Sequence, residues 1–89
     1  MKQEIILNDP HIFKKPLTIY VASTEWKWVA WSEELRVWEE DCFRDGAIQR
    51  LKDHLVALRE FYDDGDNDSE RSERNKKMAE KMREYIKRR

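Results

Sequence analysis

Four segments in the first half of the chain alternate apolar and polar residues or are rich in aromatic and β-branched residues, and each predicts a β-strand. The clearest is the run from residue 17 to 22, where Leu17, Ile19 and Val21 share one face. The turn signal Asn8-Asp9-Pro10 ends the first segment. The predicted strands are residues 3–7, 17–22, 26–32 and 35–39.

An amphipathic helix is predicted after the strands, over residues 43–62. Its apolar positions recur at alternating spacings of three and four residues, which places them on one side of a helix. Asp41 or Asp45 is expected to cap its first turn. The predicted apolar stripe is Ile48, Leu51, Leu55, Leu58 and Tyr62, with Ala47 and Phe61 beside it. The predicted polar face carries Gln49, Arg50, Lys52, Asp53, Arg59 and Glu60.

Charge changes sharply after this helix and divides the chain. Residues 63–73 hold six acidic side chains against one basic, whereas residues 74–89 hold eight basic against two acidic. We therefore expect a core domain over residues 1–62, an acidic linker over 63–69 and a basic C-terminal helix over 70–89. The apolar stripe of that helix is thin, so the helix needs a surface to dock on. The stripe consists of Met78, Met82, Tyr85 and Ile86.

The predicted fold class is α+β: a small three- to four-stranded antiparallel sheet with one amphipathic helix packed on it, plus a C-terminal helix. With 89 residues the chain forms one folded domain at most. Its core is near the lower limit for independent stability, which favours a homodimer.

Composition narrows the classes of function. The formal net charge of −1 argues against a nucleic-acid binder that works by overall charge. The single Cys42 cannot form an internal disulfide, which fits a reducing cytoplasm. No apolar run approaches the roughly 20 residues of a membrane span, and the first residues do not resemble a signal peptide. We therefore expect a soluble, cytoplasmic protein.

The acidic segment invites comparison with a calcium-binding loop. Asp64, Asp66 and Asp68 match the spacing of the first ligands of such a loop. Ser69 and Asn75, however, stand where the loop needs its glycine and its bidentate glutamate. The segment is therefore expected to be a solvated linker.

Candidates for catalysis or a transition-metal site are sparse. Cys42, His11 and His54 match no zinc spacing, and no glycine-rich loop or oxyanion turn accompanies them. Glu33 and Glu34 lie at a strand end, where solvated charge is the usual role of carboxylates. We therefore predict no enzymatic activity, no metal and no cofactor.

Four tryptophans fall within thirteen consecutive residues, from Trp26 to Trp38, and they indicate binding. The alternation of a strand places Trp26 and Trp28 on one face of the sheet and Trp31 on the other, so the tryptophans cannot all enter one core. Tryptophan is enriched among the residues that anchor protein interfaces. Carboxylates beside them would form an acidic rim facing a basic partner. The predicted partner-binding residues are Trp31, Trp38, Glu39 and Glu40.

The basic C-terminal helix is the one element that suggests contact with nucleic acid. Among the tryptophan-rich strands only Lys27 and Arg36 supply positive charge, so a stacking platform for single strands is not favoured. The candidate nucleic-acid contacts are Lys76, Lys77, Lys81, Arg83, Lys87, Arg88 and Arg89.

Three segments carry a family resemblance: Leu17–Val21, Lys27–Leu35 and Asp45–Leu51. Over about residues 15–60 the chain resembles the N-terminal domain of HicB-type antitoxins and their small relatives. The resemblance implies a three-stranded antiparallel sheet crossed by one helix, in a partial ribonuclease-H-like arrangement. It also implies a protein that dimerises, binds and inhibits a small toxin ribonuclease, and often represses its own operon.

The chain departs from that family in two places. Residues 61–68 make a poor version of the strand that usually follows the helix, and residues 70–89 offer one helix in place of a DNA-binding domain. The leading expectation is a non-enzymatic, antitoxin-like module that binds and restrains a partner protein. The alternatives are a nucleic-acid-binding accessory protein that uses its basic helix, and a phage- or plasmid-borne inhibitor of a host enzyme.

Overall fold

The computed structural model describes residues 2–64 and 73–87, and the side chains of residues 2–61 and 76–87. Within these ranges the elements are β1 (Lys2–Leu7), β2 (Leu17–Ser23), β3 (Trp28–Ser32), β4 (Val37–Asp41), α1 (Arg44–Asp64) and α2 (Glu73–Tyr85). The strands pair antiparallel in chain order, so β1 and β4 are the edges of the sheet. The predicted α+β class, with an antiparallel sheet, a packed helix and a C-terminal helix, is confirmed.

Strand alternation decides which side of the sheet is buried. Leu17, Ile19 and Val21 of β2 are fully buried, as predicted, and α1 packs over that side. Burial of such side chains supplies roughly 1.5–3 kcal/mol each. The core consists of Leu7, Phe13, Leu17, Ile19, Val21, Ala30, Leu35, Val37, Ala47, Leu51, Leu55, Met82 and Ile86.

The turn between β2 and β3 is longer than the sequence pattern predicts. The amide of Thr24 donates to the Lys27 carbonyl at 2.7 Å, and its Oγ1 accepts from the amides of Trp26 and Lys27 at 3.3 and 3.2 Å. β3 therefore begins at Trp28, and the prediction that Trp26 shares a strand face with Trp28 is wrong. Trp26 lies in the turn and is 84% exposed.

A turn over residues 33–36 replaces the predicted start of the last strand. Ser32 Oγ accepts a hydrogen bond from the Leu35 amide at 3.0 Å, and the Leu35 side chain enters the core from the turn. β4 consequently begins at Val37, two residues later than predicted. Arg36 ends the turn with a φ of 54°, a left-handed conformation that costs a residue with a Cβ about 1–2 kcal/mol.

Replacing Arg36 with glycine should therefore raise the free energy of unfolding by up to about 1 kcal/mol. Glycine adopts a positive φ without a Cβ clash, which outweighs the entropy that it adds to the unfolded chain. Arg36→Ala is the matched control, because it also removes the guanidinium but keeps the Cβ. Urea unfolding followed by tryptophan fluorescence measures both variants. A glycine variant no more stable than the alanine variant would contradict the expectation.

The start of α1 differs in detail from the predicted cap. The helix begins at Arg44, so Phe43 stands at the cap position, and its carbonyl accepts from the Ala47 amide at 2.9 Å. Asp45 lies inside the first turn, where a negative charge is favourable. The Asp41 carboxylate lies against Gly46, where a Cβ would overlap it. The proposed acidic caps therefore lie beside the cap position and not at it.

The buried stripe of α1 ends differently from the predicted one. Leu51 and Leu55 are fully buried, as predicted. The next residue along that line, Arg59, is only 6% exposed, so its prediction on the polar face is wrong. Phe61, expected beside the apolar stripe, is instead exposed. The reason is tertiary, because the end of α2 packs against α1 at Arg59.

The C-terminal helix docks on the body of the same chain. Met82 and Ile86 are fully buried in the common core. The apolar stripe of α2 therefore packs on the sheet and α1 of its own chain. Ile86 pairs with Phe13 in an isolated antiparallel bridge. Around this bridge the Lys14 amide donates to the Tyr85 carbonyl at 2.8 Å, and the Lys87 amide to the Ile12 carbonyl at 2.7 Å.

Several parts of the sequence predictions fall outside the described residues: the linker beyond Asp64, residues 70–72 at the predicted start of the basic helix, and both Arg88 and Arg89. The side chain of Tyr62, predicted in the apolar stripe of α1, is also not among the described ones. The division into a core domain, a linker and a separate basic helix therefore stays a prediction.

Candidate interaction surface

The sheet has a second side, opposite α1, which we call the open face. Along each strand it carries the residues that alternate with the buried ones. The pairing register aligns Glu4, Tyr20, Trp31 and Trp38 in one row across the four strands. The open face comprises Lys2, Glu4, Ile6, Thr18, Tyr20, Ala22, Val29, Trp31, Trp38 and Glu40.

The centre of the open face is aromatic. The rings of Tyr20 and Trp31 lie 5.8 Å apart between centroids with a 32° angle between their planes, which is within the range of favourable aromatic pairs. Trp38 lies directly opposite Trp31 and is 60% exposed. An antiparallel sheet with one solvated side normally carries polar residues there. An aromatic row on this side is therefore unusual for a surface that stays in water.

Three of the four predicted partner-binding residues lie together on the open face, and the fourth lies on the α1 side of the sheet. Trp31, Trp38 and Glu40 share the open face, where Glu40 forms a salt bridge with Lys27. Glu39 projects to the α1 side, where its Oε2 lies 2.7 Å from His54 Nδ1 in an orientation that does not make a hydrogen bond. The two carboxylates therefore do not form one acidic rim.

Sequence reasoning missed Tyr20 as part of this surface. The alternation along β2 already places Tyr20 on the side opposite Ile19 and Val21, which was the available signal. The alternation does not say which residue of the neighbouring strand lies beside Tyr20. The strand pairing shows that this residue is Trp31.

A cleft of about 450 Å³ lies at one end of the open face, between the sheet and α2. Tyr20 lines it on the sheet side and Tyr85 on the helix side, with Lys81, Glu4 and Arg36 among the charged residues around it. Its surface is mostly polar, so it extends the aromatic row with charged groups.

Most of the charges around the open face are paired within the chain. Lys2 Nζ lies 3.6 Å from Glu33 Oε1 and 4.4 Å from the centre of the Tyr20 ring. Lys81 Nζ lies 3.4 Å from Glu34 Oε2. The exceptions on the face and its cleft are Glu4 and Arg36, neither of which contacts an opposite charge among residues 2–61 and 76–87.

A second lysine pair ties α2 to the segment before β2. Lys15 forms a salt bridge with Glu84, and its Nζ lies 4.3 Å from the centre of the Tyr85 ring. The hydrogen bond to Glu84 raises the pKa of Lys15 above its ordinary value. The contact helps to hold Tyr85 at the wall of the cleft.

The candidate nucleic-acid contacts are spread along the outside of α2. Ala79 and Met82 are buried, so the basic residues lie on the remaining sides of the helix. Lys76 and Arg83 line a shallow pocket there, Lys77 is exposed, and Lys87 follows the helix. Lys81 alone among them lines the cleft, and it pairs with Glu34.

The described part of the chain contains no group of three or more His, Cys, Asp or Glu side chains that could hold a metal ion. Cys42 is exposed and makes no disulfide. No helix within residues 2–64 and 73–87 is long and apolar enough to cross a membrane.

None of the protein-family models, curated proteins or solved structures compared with this chain matches it. The HicB-type resemblance therefore stays a prediction. What the chain can bind has to be inferred from the geometry and charge of the open face.

Proposed function

We propose that this protein is a non-enzymatic interaction module that binds and restrains another protein through its open face. The observation that carries the proposal is the aromatic row of Tyr20, Trp31 and Trp38 on the side of the sheet away from α1. An apolar aromatic centre surrounded by a polar rim is the usual anatomy of a protein–protein interface.

The charges around the row favour a protein over a nucleic acid. Single-stranded nucleic acid also stacks on aromatic side chains, but it requires cations that are free to neutralise phosphates. Lys2, Lys27 and Lys81 each face a glutamate of the same chain. The rim is therefore close to neutral, which suits a protein surface better than a polyanion.

The exposed indole of Trp38 sets the expected energy of the contact. An interface that covered it would remove on the order of 100–150 Å² of apolar surface from water. At about 25 cal/mol/Å² this contributes about 3 kcal/mol, or roughly a hundredfold in affinity before ordering costs. Trp38 is therefore the residue whose loss should weaken partner binding most.

The partner's identity is proposed from the sequence resemblance. HicB-type antitoxins bind small toxin ribonucleases, and residues 15–60 resemble their N-terminal domain. A small ribonuclease held inactive by this protein is therefore the leading candidate. The resemblance does not extend to a DNA-binding domain, so repression of an operon is not part of the proposal.

Replacing Trp38 with serine should weaken partner binding at least tenfold while the protein stays folded. Trp26→Ser is the matched control, because Trp26 is still more exposed but lies in the β2–β3 turn and not on the open face. The partner would be captured with tagged protein in 0.5–1 M salt, identified by mass spectrometry and titrated by calorimetry.

Two outcomes would contradict the proposal. Equal affinity of the folded Trp38→Ser variant and the wild type would exclude the open face as the binding surface. Recovery of nucleic acid alone, released as the salt concentration rises, would favour the basic helix instead.

A further inference from the structure

We propose that the cleft at the end of the open face binds a zwitterionic ligand, in which a short aliphatic chain joins an ammonium group to a carboxylate. Glu4 would receive the ammonium group and Arg36 the carboxylate. The inference goes beyond the proposed function, because it assigns a second ligand beside the aromatic row. The cleft volume of about 450 Å³ lies within the range of about 300–1,000 Å³ that is usual for small-molecule sites.

The charges of the cleft leave one acid and one base available to a ligand. The other charged residues that line it are Glu33, Glu34 and Lys81. Both of these glutamates pair with a lysine of the same chain, and Lys81 is one of the two lysines. Glu4 and Arg36 are exposed and contact no opposite charge in the part of the chain that the structure describes. The cleft therefore offers one free negative and one free positive charge.

Glu4 and Arg36 lie near opposite edges of the sheet. Glu4 lies on β1, in register with Trp38 across the sheet, and Arg36 immediately precedes β4. With about 4.8 Å between neighbouring strands, their Cα atoms are separated by roughly 15 Å. A ligand that holds its two charges apart with several methylene groups reaches both side chains more readily than an α-amino acid, whose charges share one carbon atom.

Glu4 and Tyr20 form the ammonium end of the site. They lie directly opposite one another on β1 and β2. The face of a tyrosine ring attracts cations, and Lys2 Nζ already lies 4.4 Å from the centre of the Tyr20 ring. Lys2 is paired with Glu33, which leaves Glu4 for the ligand. An ammonium group that enters here would meet a carboxylate beside an aromatic ring.

The walls of the cleft provide contacts for the aliphatic part of the ligand. Tyr20 lines the sheet side and Tyr85 the helix side, and Pro16 also borders the cleft. Lys15 Nζ lies 4.3 Å from the centre of the Tyr85 ring and pairs with Glu84. These contacts hold the ring of Tyr85 in place before a ligand binds.

The backbone of Arg36 supports the role of its side chain at the carboxylate end. Its φ of 54° is a conformation that glycine adopts more easily. Strained residues of this kind concentrate at binding and switching sites. A guanidinium can bind a carboxylate through two parallel hydrogen bonds, which a smaller side chain could not supply. Arg36 therefore lowers the stability of the turn and provides the anion-binding group of the cleft.

Two sources can supply a ligand of this chemistry. One is a free ω-amino acid, in which the ammonium group and the carboxylate stand at opposite ends of an aliphatic chain. The other is a C-terminal lysine of another polypeptide. Its side-chain ammonium group and its terminal carboxylate are separated by the same number of carbon atoms as in 6-aminohexanoate.

Titration of the wild-type chain with small probes tests the site and separates the two sources. The amide NMR signals of Glu4, Tyr20 and Arg36 should shift with 6-aminohexanoate, with a dissociation constant on the order of 1 mM because exposed ion pairs are weak. Hexanoate and hexylamine, which keep one charge each, should bind at least fivefold more weakly. Tighter binding of the peptide Gly-Gly-Lys than of 6-aminohexanoate would identify a chain end as the source, and the reverse order a free amino acid.

Neutral variants of the two charged residues test each end of the site separately. Glu4→Gln and Arg36→Gln should each weaken binding of 6-aminohexanoate at least fivefold. Asp53→Asn and Arg50→Gln are the matched controls, because they make the same changes of charge on α1, and they should leave binding unchanged. Arg36→Gly should bind as weakly as Arg36→Gln although it is expected to be more stable than the wild type.

Four results would overturn the inference: no titrating shift with either zwitterion up to about 50 mM, one-charge probes that bind as tightly as 6-aminohexanoate, variants of Glu4 and Arg36 that bind like the wild type, or controls that lose binding equally. The first two results come from the wild type alone, so the inference stays testable if a variant fails to fold. A cleft that binds no zwitterion would leave the proposed function standing, because partner capture is tested separately at Trp38.

Discussion

Replacing Ile86 with alanine should lower the free energy of unfolding by about 2–5 kcal/mol. Ile86 is fully buried and is the residue through which the end of α2 enters the common core. Truncation leaves a cavity against Phe13, with which Ile86 forms its bridge. For a domain this small, such a loss is a large fraction of the total stability.

Urea unfolding followed by tryptophan fluorescence measures this effect. Lys77→Ala is the matched control, because Lys77 lies on the same helix but is exposed, and it should change stability by less than about 0.5 kcal/mol. Hydrogen exchange provides a second readout, since the amides of Lys14 and Lys87 donate across the contact. If Ile86→Ala costs no more than the control and leaves both amides protected, α2 is not anchored through Ile86.

Replacing Arg59 with alanine should lower the free energy of unfolding by about 2–3 kcal/mol. Arg59 Nε donates a hydrogen bond of 3.1 Å to the backbone carbonyl of Ile86, just after α2 ends. The cation thus satisfies a buried acceptor and interacts favourably with the negative end of the α2 dipole. The variant leaves that carbonyl without its donor and also removes the packing of the arginine stem.

Arg50→Ala is the control for Arg59→Ala. Arg50 lies on the same helix and its side chain is 63% exposed, with Nε 3.7 Å from Asp41 Oδ1. Exposed pairs of this kind contribute about 0–1 kcal/mol, so the two variants should differ clearly in urea unfolding. Equal losses for both arginines would show that the contact between Arg59 and Ile86 does not stabilise the protein.

The same helix connects stability with the proposed binding surface. α2 places Lys81 and Tyr85 at the cleft beside the open face, so loosening its end would alter that wall of the cleft. Conversely, a partner that binds only the folded chain would raise its apparent stability by mass action.

Much of the fold could be predicted from the sequence because its information is local. The alternation along β2 predicts which residues face the core, and all three of its inward side chains are buried. The three-and-four spacing predicts α1 and two of its fully buried residues, Leu51 and Leu55. The tryptophan spacing also predicts that Trp31 lies on the opposite face from Trp28, which the strand pairing confirms.

The turns were predicted less well because single side chains decide them. In the β2–β3 turn Thr24 Oγ1 accepts a hydrogen bond from the Trp26 amide, and in the β3–β4 turn Ser32 Oγ accepts one from the Leu35 amide. Alternation continues through both segments in the sequence, so the pattern alone extends the strands too far. The polar atoms that interrupt the strands are visible in the sequence, but their partners are not.

By itself, the sequence determined which side chains share a face of each strand and helix, since strand and helix periods act over a few residues. It therefore determined the fold class, the buried side of β2 and the placement of Trp28 and Trp31 on opposite faces of β3. Only the tertiary structure decided that Arg59 is buried and that Tyr20 lies beside Trp31 in the aromatic row. Each of these depends on the docking of segments distant in the chain, such as Arg59 and Ile86 at a separation of 27 residues. A local period carries no information about such contacts. Whether a side chain is buried at such a contact depends on where another element of the fold lies.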